Sequence, residues 1–370
     1  MPSTVAVLKT SPGTVFSDYA KLMRMVGYQN EISKEKETIL KLNLSWDIYF
    51  PSSSSQPWQL EGVVRTLLED EFDRGKLLPV ENKTVVTDPI RGAEQNCWFP
   101  VLNRYGLSYT PLPSAEWVKY DFKRSLLKLN QIFPEGIEIP RFFIGKQIIH
   151  LPTVKTHGHS VTTGAIKNSF GGLLKEVRHF AHKHIHEVLV DLMMMQKELH
   201  PGIFAVMDGT VCGNGAGPRT MIPVIKNYIL ASSDQVAIDS VAARMMGFDP
   251  LRIPYLKMCA EMGLGQADLR NIQVIGEDIS GVNFKFEAKK SFVIWGDQML
   301  RKGSLQFMEK AALHSPLAFW APVASNLYHD LFWYPVVGKR IVDKFLTSDW
   351  GQFFESYRSG LNSQSSRASA

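Results

Sequence analysis

The chain has 370 residues, 45% of them hydrophobic and 21% charged, with a formal net charge of +5. These are globular values, enough for one large or two ordinary domains, and the mild basic balance suits an acidic small ligand while excluding nucleic acid as a partner. Cys97, Cys212 and Cys259 are scattered, with no CxxC and no ferredoxin spacing, which excludes a disulfide framework and predicts that this chain carries no iron–sulfur cluster of its own.

No signal-peptide pattern opens the chain and no apolar run is long enough to span a bilayer, so a cytoplasmic setting is expected. Val5 to Leu8 reads as a first strand and Asp18 to Gly27 as an amphipathic helix. Thr38 to Ser45 reads as a second strand, on which Lys41 and Asn43, two apart, share a face. Trp46 to Trp58, with Pro51, Pro57 and four serines, is a loop over or beside something. Trp58 to Leu68 returns to helical spacing. Thr84 to Arg91 reads as strand then turn, placing Asp88 and Arg91 where α/β sheets hold ligands. A helix over Asn96 to Leu107 and a strand then turn over Ser108 to Pro113 follow.

Arg141 to Ile149 is strand-like and delivers the stretch Leu151 to Leu173. That stretch holds Lys155, His157, His159, Lys167, Asn168 and a Gly171-Gly172 pair. No helical or strand period accounts for the mixture, so it reads as an anion-binding and candidate catalytic loop, with a Gly/Ser/Thr surface loop carrying solvated lysines as the alternative. A helix is expected from Leu173 to Leu199, with His179, His182 and His186 on one stripe. The stripe is expected to be a solvated or partly packed face, and no metal site is assigned. Pro201 to Pro218 reads as a strand ending at Asp208, then a glycine-rich loop whose Gly213 and Gly215 could cradle phosphate through backbone N–H groups. Pro218 and Pro223 interrupt what a Rossmann or P-loop helix would need.

Asn227 to Ala231 is a strand, and Ser233 or Asp234 caps the apolar helix Gln235 to Met246. Asp239 within that helix is costly to bury unpaired, and the lysine-rich loop is its expected supplier of partners, with pairing to a structural Arg or capping of a neighbouring element as the alternative. A helix from Pro254 to Gly263 and a strand from Ile272 to Ile275 close the core. Beyond residue 290 the composition turns aromatic. Residues 291–360 read as a helical appendage packing on the core, with an interfacial membrane contact as the alternative, and 361–370 as a disordered tail.

Several segments occur together in order: Ile39 to Leu44, Leu151-Pro-Thr-Val-Lys-Thr-His157, Thr163 to Gly171, Asp208-Gly209 with Gly213 to Pro218, and Ile229 to Asp239 with Met246 to Pro250. Together they resemble the family catalogued as domain of unknown function 362, over roughly residues 5 to 285. The resemblance implies that Lys155, His157, Lys167, Asn168, Asp208, Asp234 and Asp239 belong to shared motifs. It also implies iron–sulfur or redox partners, since members are often fused to ferredoxin-type modules. It names no reaction. The run from His157 to Lys167 is also similar to the cofactor-binding stretch of the nickel-pincer lactate racemase family, and Asp88-Pro-Ile-Arg91 to that family's strand end. This likeness implies His157 as a proton-transfer base or metal neighbour, Lys167 as a cofactor attachment and Arg91 as a carboxylate or phosphate partner. The paired glycines that precede the lysine there are Ala165-Ile166 here.

Two readings stand. In the first, an enzyme or cofactor-binding protein acts on a small anionic molecule through His157, Lys167 and Asp208 as catalytic residues. Lys41, Asn43, Arg91, Lys155, Asn168, Gly213, Gly215 and Asp239 would then be ligand-binding. In the second, the chain is a non-catalytic redox-partner or membrane-peripheral scaffold using its aromatic region. The fold expected for both is α/β: a mixed, largely parallel sheet flanked by helices, either one core over 1–290 or two lobes meeting near residue 150.

Overall fold

The computed structural model describes residues 3–84, 86–175, 181–289, 296, 299 and 325–368, with side chains as far as Gly360. His179 of the histidine stripe and Leu317 to Pro322 of the aromatic region lie outside the described residues. Twelve strands are described: β1 Ser3–Lys9, β2 Thr38–Lys41, β3 Leu77–Glu81, β4 Thr110–Pro111, β5 Trp117–Lys119, β6 Glu138–Pro140, β7 Gln147–His150, β8 Thr153–His157, β9 Val161–Thr162, β10 Ile203–Ala216, β11 Thr220–Ser232 and β12 Ile272–Gly276. Ten α-helices accompany them as far as Glu261: α1 Val15–Met25, α2 Pro57–Glu69, α3 Pro89–Gln95, α4 Trp98–Tyr105, α5 Leu129–Ile132, α6 Ala165–Asn168, α7 Phe170–Leu173, α8 Ile185–Leu199, α9 Gln235–Met246 and α10 Pro254–Glu261.

The main sheet runs β12-β1-β11-β10-β7-β2-β3-β4, with β8 alongside β10 and β9 paired to β8. Its pairings are parallel except β1–β11, β10–β11 and β8–β9. Both faces are apolar because side chains alternate along each strand. Leu40, Ile149, Phe204 and Ala6 pack with α1, α2 and α4 on one face. Their neighbours Ile39 and Ile148 pack with α8 and α10 on the other, where Ala205 and Val5 meet α9. The expected α/β architecture, a mixed and largely parallel sheet flanked by helices, is what the chain forms.

Several local expectations need correction. β2 ends at Lys41 rather than Ser45, because the Asn43 N–H leaves the ladder for the Ser55 hydroxyl at 2.8 Å. The strand expected at Thr84 to Asp88 lies earlier, at β3, where Pro79 masks the pattern. Pro79 is tolerated because β4 pairs only with Val80 and Glu81, leaving an edge beside it. Asp88 instead caps α3, accepting from Ile90 and Arg91 backbone N–H groups at 2.9 and 2.8 Å. The glycine-rich segment is not a loop: β10 runs unbroken through it and pairs with β11 across Gly213 and Gly215. Asp208 therefore sits within a strand, not at its end. Asp234 is the cap of α9, accepting from Val236 and Ala237.

The helices at Lys339–Leu346 and Asp349–Ala368 place Val342, Phe345, Trp350, Phe354 and Tyr357 in the same core as α1, α2 and α4. Trp350 lies 4.8 Å from Trp58 and Phe354 stacks on Tyr49 at 3.9 Å, centroid to centroid. The last helix extends to Ala368. Among the described residues, no helix is long and apolar enough to cross a membrane.

Candidate functional site

Strands β3, β2 and β7 run side by side in parallel and end at Glu81, Lys41 and His150. From β2 the chain moves outward to β3 and β4; from β7 it moves the opposite way, to β10 and β11. The carboxyl ends of β2 and β7 therefore flank a topological switch point, the place where open α/β sheets hold ligands. Lys41 is buried there and its ammonium donates to Glu81 Oε1 at 2.7 Å and to the Leu42 carbonyl at 2.6 Å. Glu81 Oε1 also accepts the Asn82 N–H, while Oε2 is buried with no hydrogen-bond partner among the described residues.

His150 is fully buried and burial, aided by Lys41, pushes its pKa down to about 3. The neutral ring donates from Nε2 to Gln196 Oε1 at 2.6 Å, which leaves Nδ1 facing the Asn168 amide nitrogen at 3.4 Å. Asn168 also donates to the Lys41 carbonyl at 2.9 Å, so it ties α6 to the end of β2. Its Oδ1 is a second buried acceptor with no partner among the described residues.

Lys155, on β8, is 1% exposed and donates to three neutral acceptors: Asn43 Oδ1, the Ser53 carbonyl and Thr153 Oγ1. Thr153 spends its own proton on the Ser52 carbonyl, so all three contacts need an N–H from the lysine. Three acceptors suit the three N–H groups of an ammonium, whereas a neutral amine offers two. Burial and the neighbouring Lys167 drive the pKa of Lys155 down, opposed by Glu81. The serine loop has a clear role here. Ser55 accepts from Asn43 and donates to the Leu151 carbonyl at 2.6 Å, and Ser53 donates to the Pro218 carbonyl at 2.9 Å.

His157, two residues on, is buried and its pKa falls through burial, then Lys167, His159, His182 and Lys155. Its Nδ1 accepts the His159 and Ser160 backbone N–H groups at 3.1 and 3.3 Å. The neutral ring therefore carries its proton on Nε2. Lys167, at the end of α6, is part-exposed, with its ammonium 5.3 Å from the Phe170 ring centre.

Asp239 holds this loop from below. Its carboxylate accepts the Ala165 N–H at 2.6 Å and the Ile166 N–H at 3.2 Å, the first two donors of α6. Burial nonetheless pushes its pKa up to about 8. Gly164 makes the approach feasible: a Cβ there would lie 2.2 to 2.6 Å from the carboxylate, and φ is 157°. So Asp239 caps a neighbouring element, and that element is the lysine-bearing loop.

The structure thus brings Lys41, Asn43, Lys155, His157, Lys167 and Asn168 together, with Asp239 beneath them. Other sequence candidates lie apart from this cluster. Asp208 is filled by four donors: Tyr19 at 2.7 Å, Trp58 at 3.0 Å, and the Thr210 hydroxyl and N–H at 2.7 and 3.0 Å. It ties β10 to α1 and α2. Arg91 is largely exposed on α3, 3.8 Å from Asp47. Gly213 serves packing, since a Cβ there would meet Met221 Sδ at 2.5 Å and Lys155 Cβ at 3.0 Å, whereas Gly215 faces open space and holds a φ of 107°. Glu81, His150, Thr153 and Gln196 were not singled out from the sequence. Glu81 and His150 carried one usable signal, a polar residue closing a buried apolar strand. Among the described residues no three His, Cys, Asp or Glu side chains are placed to hold a metal ion.

A thylakoid-associated protein of Synechocystis sp. is 30% identical to this chain over 121 residues. That match covers 32% of the chain and 37% of the relative, so the chain spans well under half of the length of that protein. Residues 38–244 match the family described as "Domain of unknown function (DUF362)", and this stretch runs from β2 to the last turns of α9, including every residue of the cluster. The chain belongs to the DUF362 family.

Proposed function

We propose that the cluster at the ends of β2, β3, β7 and β8 binds a small anion, and that the protein is an enzyme or cofactor-binding protein acting on it. The observation that carries this reading is Lys155: a buried ammonium whose three donors all meet neutral acceptors, with the Lys167 ammonium near enough to depress its pKa. Among the described residues, the carboxylate that acts on Lys155 is Glu81, and it is engaged by Lys41. Two like charges in a low-dielectric setting attract an anion, and one that entered would relieve both. Lys155 has no donor left over, so its part is electrostatic. Direct contact falls to Lys167 and to the Nε2–H of His157, which in this tautomer donates a hydrogen bond rather than removing a proton.

The reading is tested by calorimetric titration of the full chain with inorganic phosphate and with a short carboxylate, alongside Lys155→Met and Lys167→Ala. The expected result is saturable binding of at least one anion, weakened about tenfold or more by each substitution, through loss of a charge-assisted contact at Lys167 and of a buried neighbouring charge at Lys155. Equal affinity in the parent and both variants would overturn it.

A further inference from the structure

Leu327, Leu331, Phe332, Val336 and Val337 are 40–71% exposed, a concentration of large apolar side chains in one short stretch. They belong to Leu327–Gly338, wound as a wide helix with π-type bonding. In i→i+5 bonding, residues four and five apart share a face, so these five form one stripe. The opposite face packs on the protein. His329 and Gly338 are buried there, Trp333 lies 5.5 Å from the Phe50 ring, and the Tyr334 hydroxyl donates to the Tyr49 carbonyl at 3.2 Å. Asp330 is fixed by the Trp46 indole N–H at 2.8 Å. The segment is thus apolar on both faces and covered on one, which a water-facing helix has no reason to be.

We propose that this stripe seats on the surface of an anionic lipid bilayer, with the helix lying in the interface. Twelve residues cannot cross a bilayer, so the helix lies along it. Charge selects the occupant. The next turns expose Lys339, Arg340 and Lys344 against the single acid Asp343. That fringe complements acidic headgroups, whereas a second copy of the chain docked on the same face would oppose two such fringes. Leu331 and Phe332, the most exposed pair, enter the acyl boundary, and the basic side chains stay at headgroup level.

The test is co-sedimentation of the full chain with vesicles of equimolar phosphatidylcholine and phosphatidylglycerol, and with phosphatidylcholine alone. Binding is expected to the anionic vesicles and to weaken with added salt. Leu331→Asp with Phe332→Asp should lower the partition coefficient at least about tenfold, and Lys339→Glu with Arg340→Glu about fivefold. All four side chains are exposed, and a thermal melt matching the parent's confirms that each variant is folded. Val336→Asp is the substitute should the first pair melt early. The proposal is overturned by a parent that stays in the supernatant, by equal binding to both vesicles, by an unchanged apolar variant, or by loss of a concentration-dependent dimer in place of lipid binding.

Discussion

Asp239 does the work of a helix cap from a different helix. Its pKa is pushed up to about 8 by burial, so between the ordinary carboxylate range and that value the folded protein holds a proton that the unfolded chain has released. The sign follows: stability falls as pH rises through that window. The contribution is at most roughly 1.4 kcal/mol per pH unit. Thermal unfolding followed from about pH 5 to pH 8 should therefore show a steeper decline for the parent than for Asp239→Asn, which has no proton to lose. Asp239→Asn should also lower stability by about 1–3 kcal/mol at every pH, because an amide satisfies the two α6 donors less well. Parallel curves would mean that the carboxylate is ionised throughout, held so by those two N–H groups.

The hairpin of β10 and β11 sets the shape of the cluster's floor. Gly213 lies between Met221 and Lys155 with no room for a methyl group. Gly213→Ala should cost about 1–3 kcal/mol, and less in a Met221→Ala background, so a double-mutant cycle by denaturant unfolding should give a clear coupling. Additive costs would show that Lys155 is the true obstacle. This hairpin also marks the limit of what sequence could reveal. Helices α2 and α9 and strands β1 and β12 were legible because their apolar spacing and caps are local properties. The glycines near 213 were misread as a loop because a wide-open backbone and a closely packed strand use the same residue. The Lys155, His157, Lys167 and Asn168 group was legible as a dense polar stretch. Glu81 and His150 were not, because only the strand order brings them beside it. Asp208 was a candidate because it was expected at a strand end; the structure places it within β10, with four donors on its carboxylate.

At the scale of the molecule, the C-terminal helices are part of the core. Removal of residues 325–370 would strip Trp350, Phe354 and Tyr357 from Trp58, Tyr49 and their neighbours, and would free the Trp46 loop from Asp330. Each buried aromatic is worth on the order of 3–5 kcal/mol, together comparable to the whole stability of a domain. The truncated chain should therefore lose its cooperative thermal transition; a sharp transition within a few degrees of the parent's would contradict the shared core.

The outermost pairings of the sheet set a timetable for biogenesis. Among the described strands β1 precedes the others, and its partners β11 and β12 come more than 210 residues later. At ordinary translation speeds it waits roughly 10–50 s for its neighbours to leave the ribosome. Meanwhile β2, β3 and β7, which frame the cluster, are complete by His150. The nascent chain thus exposes Val5 to Leu8, an apolar strand with two open edges, until those partners appear, and that segment is where a holding chaperone would act.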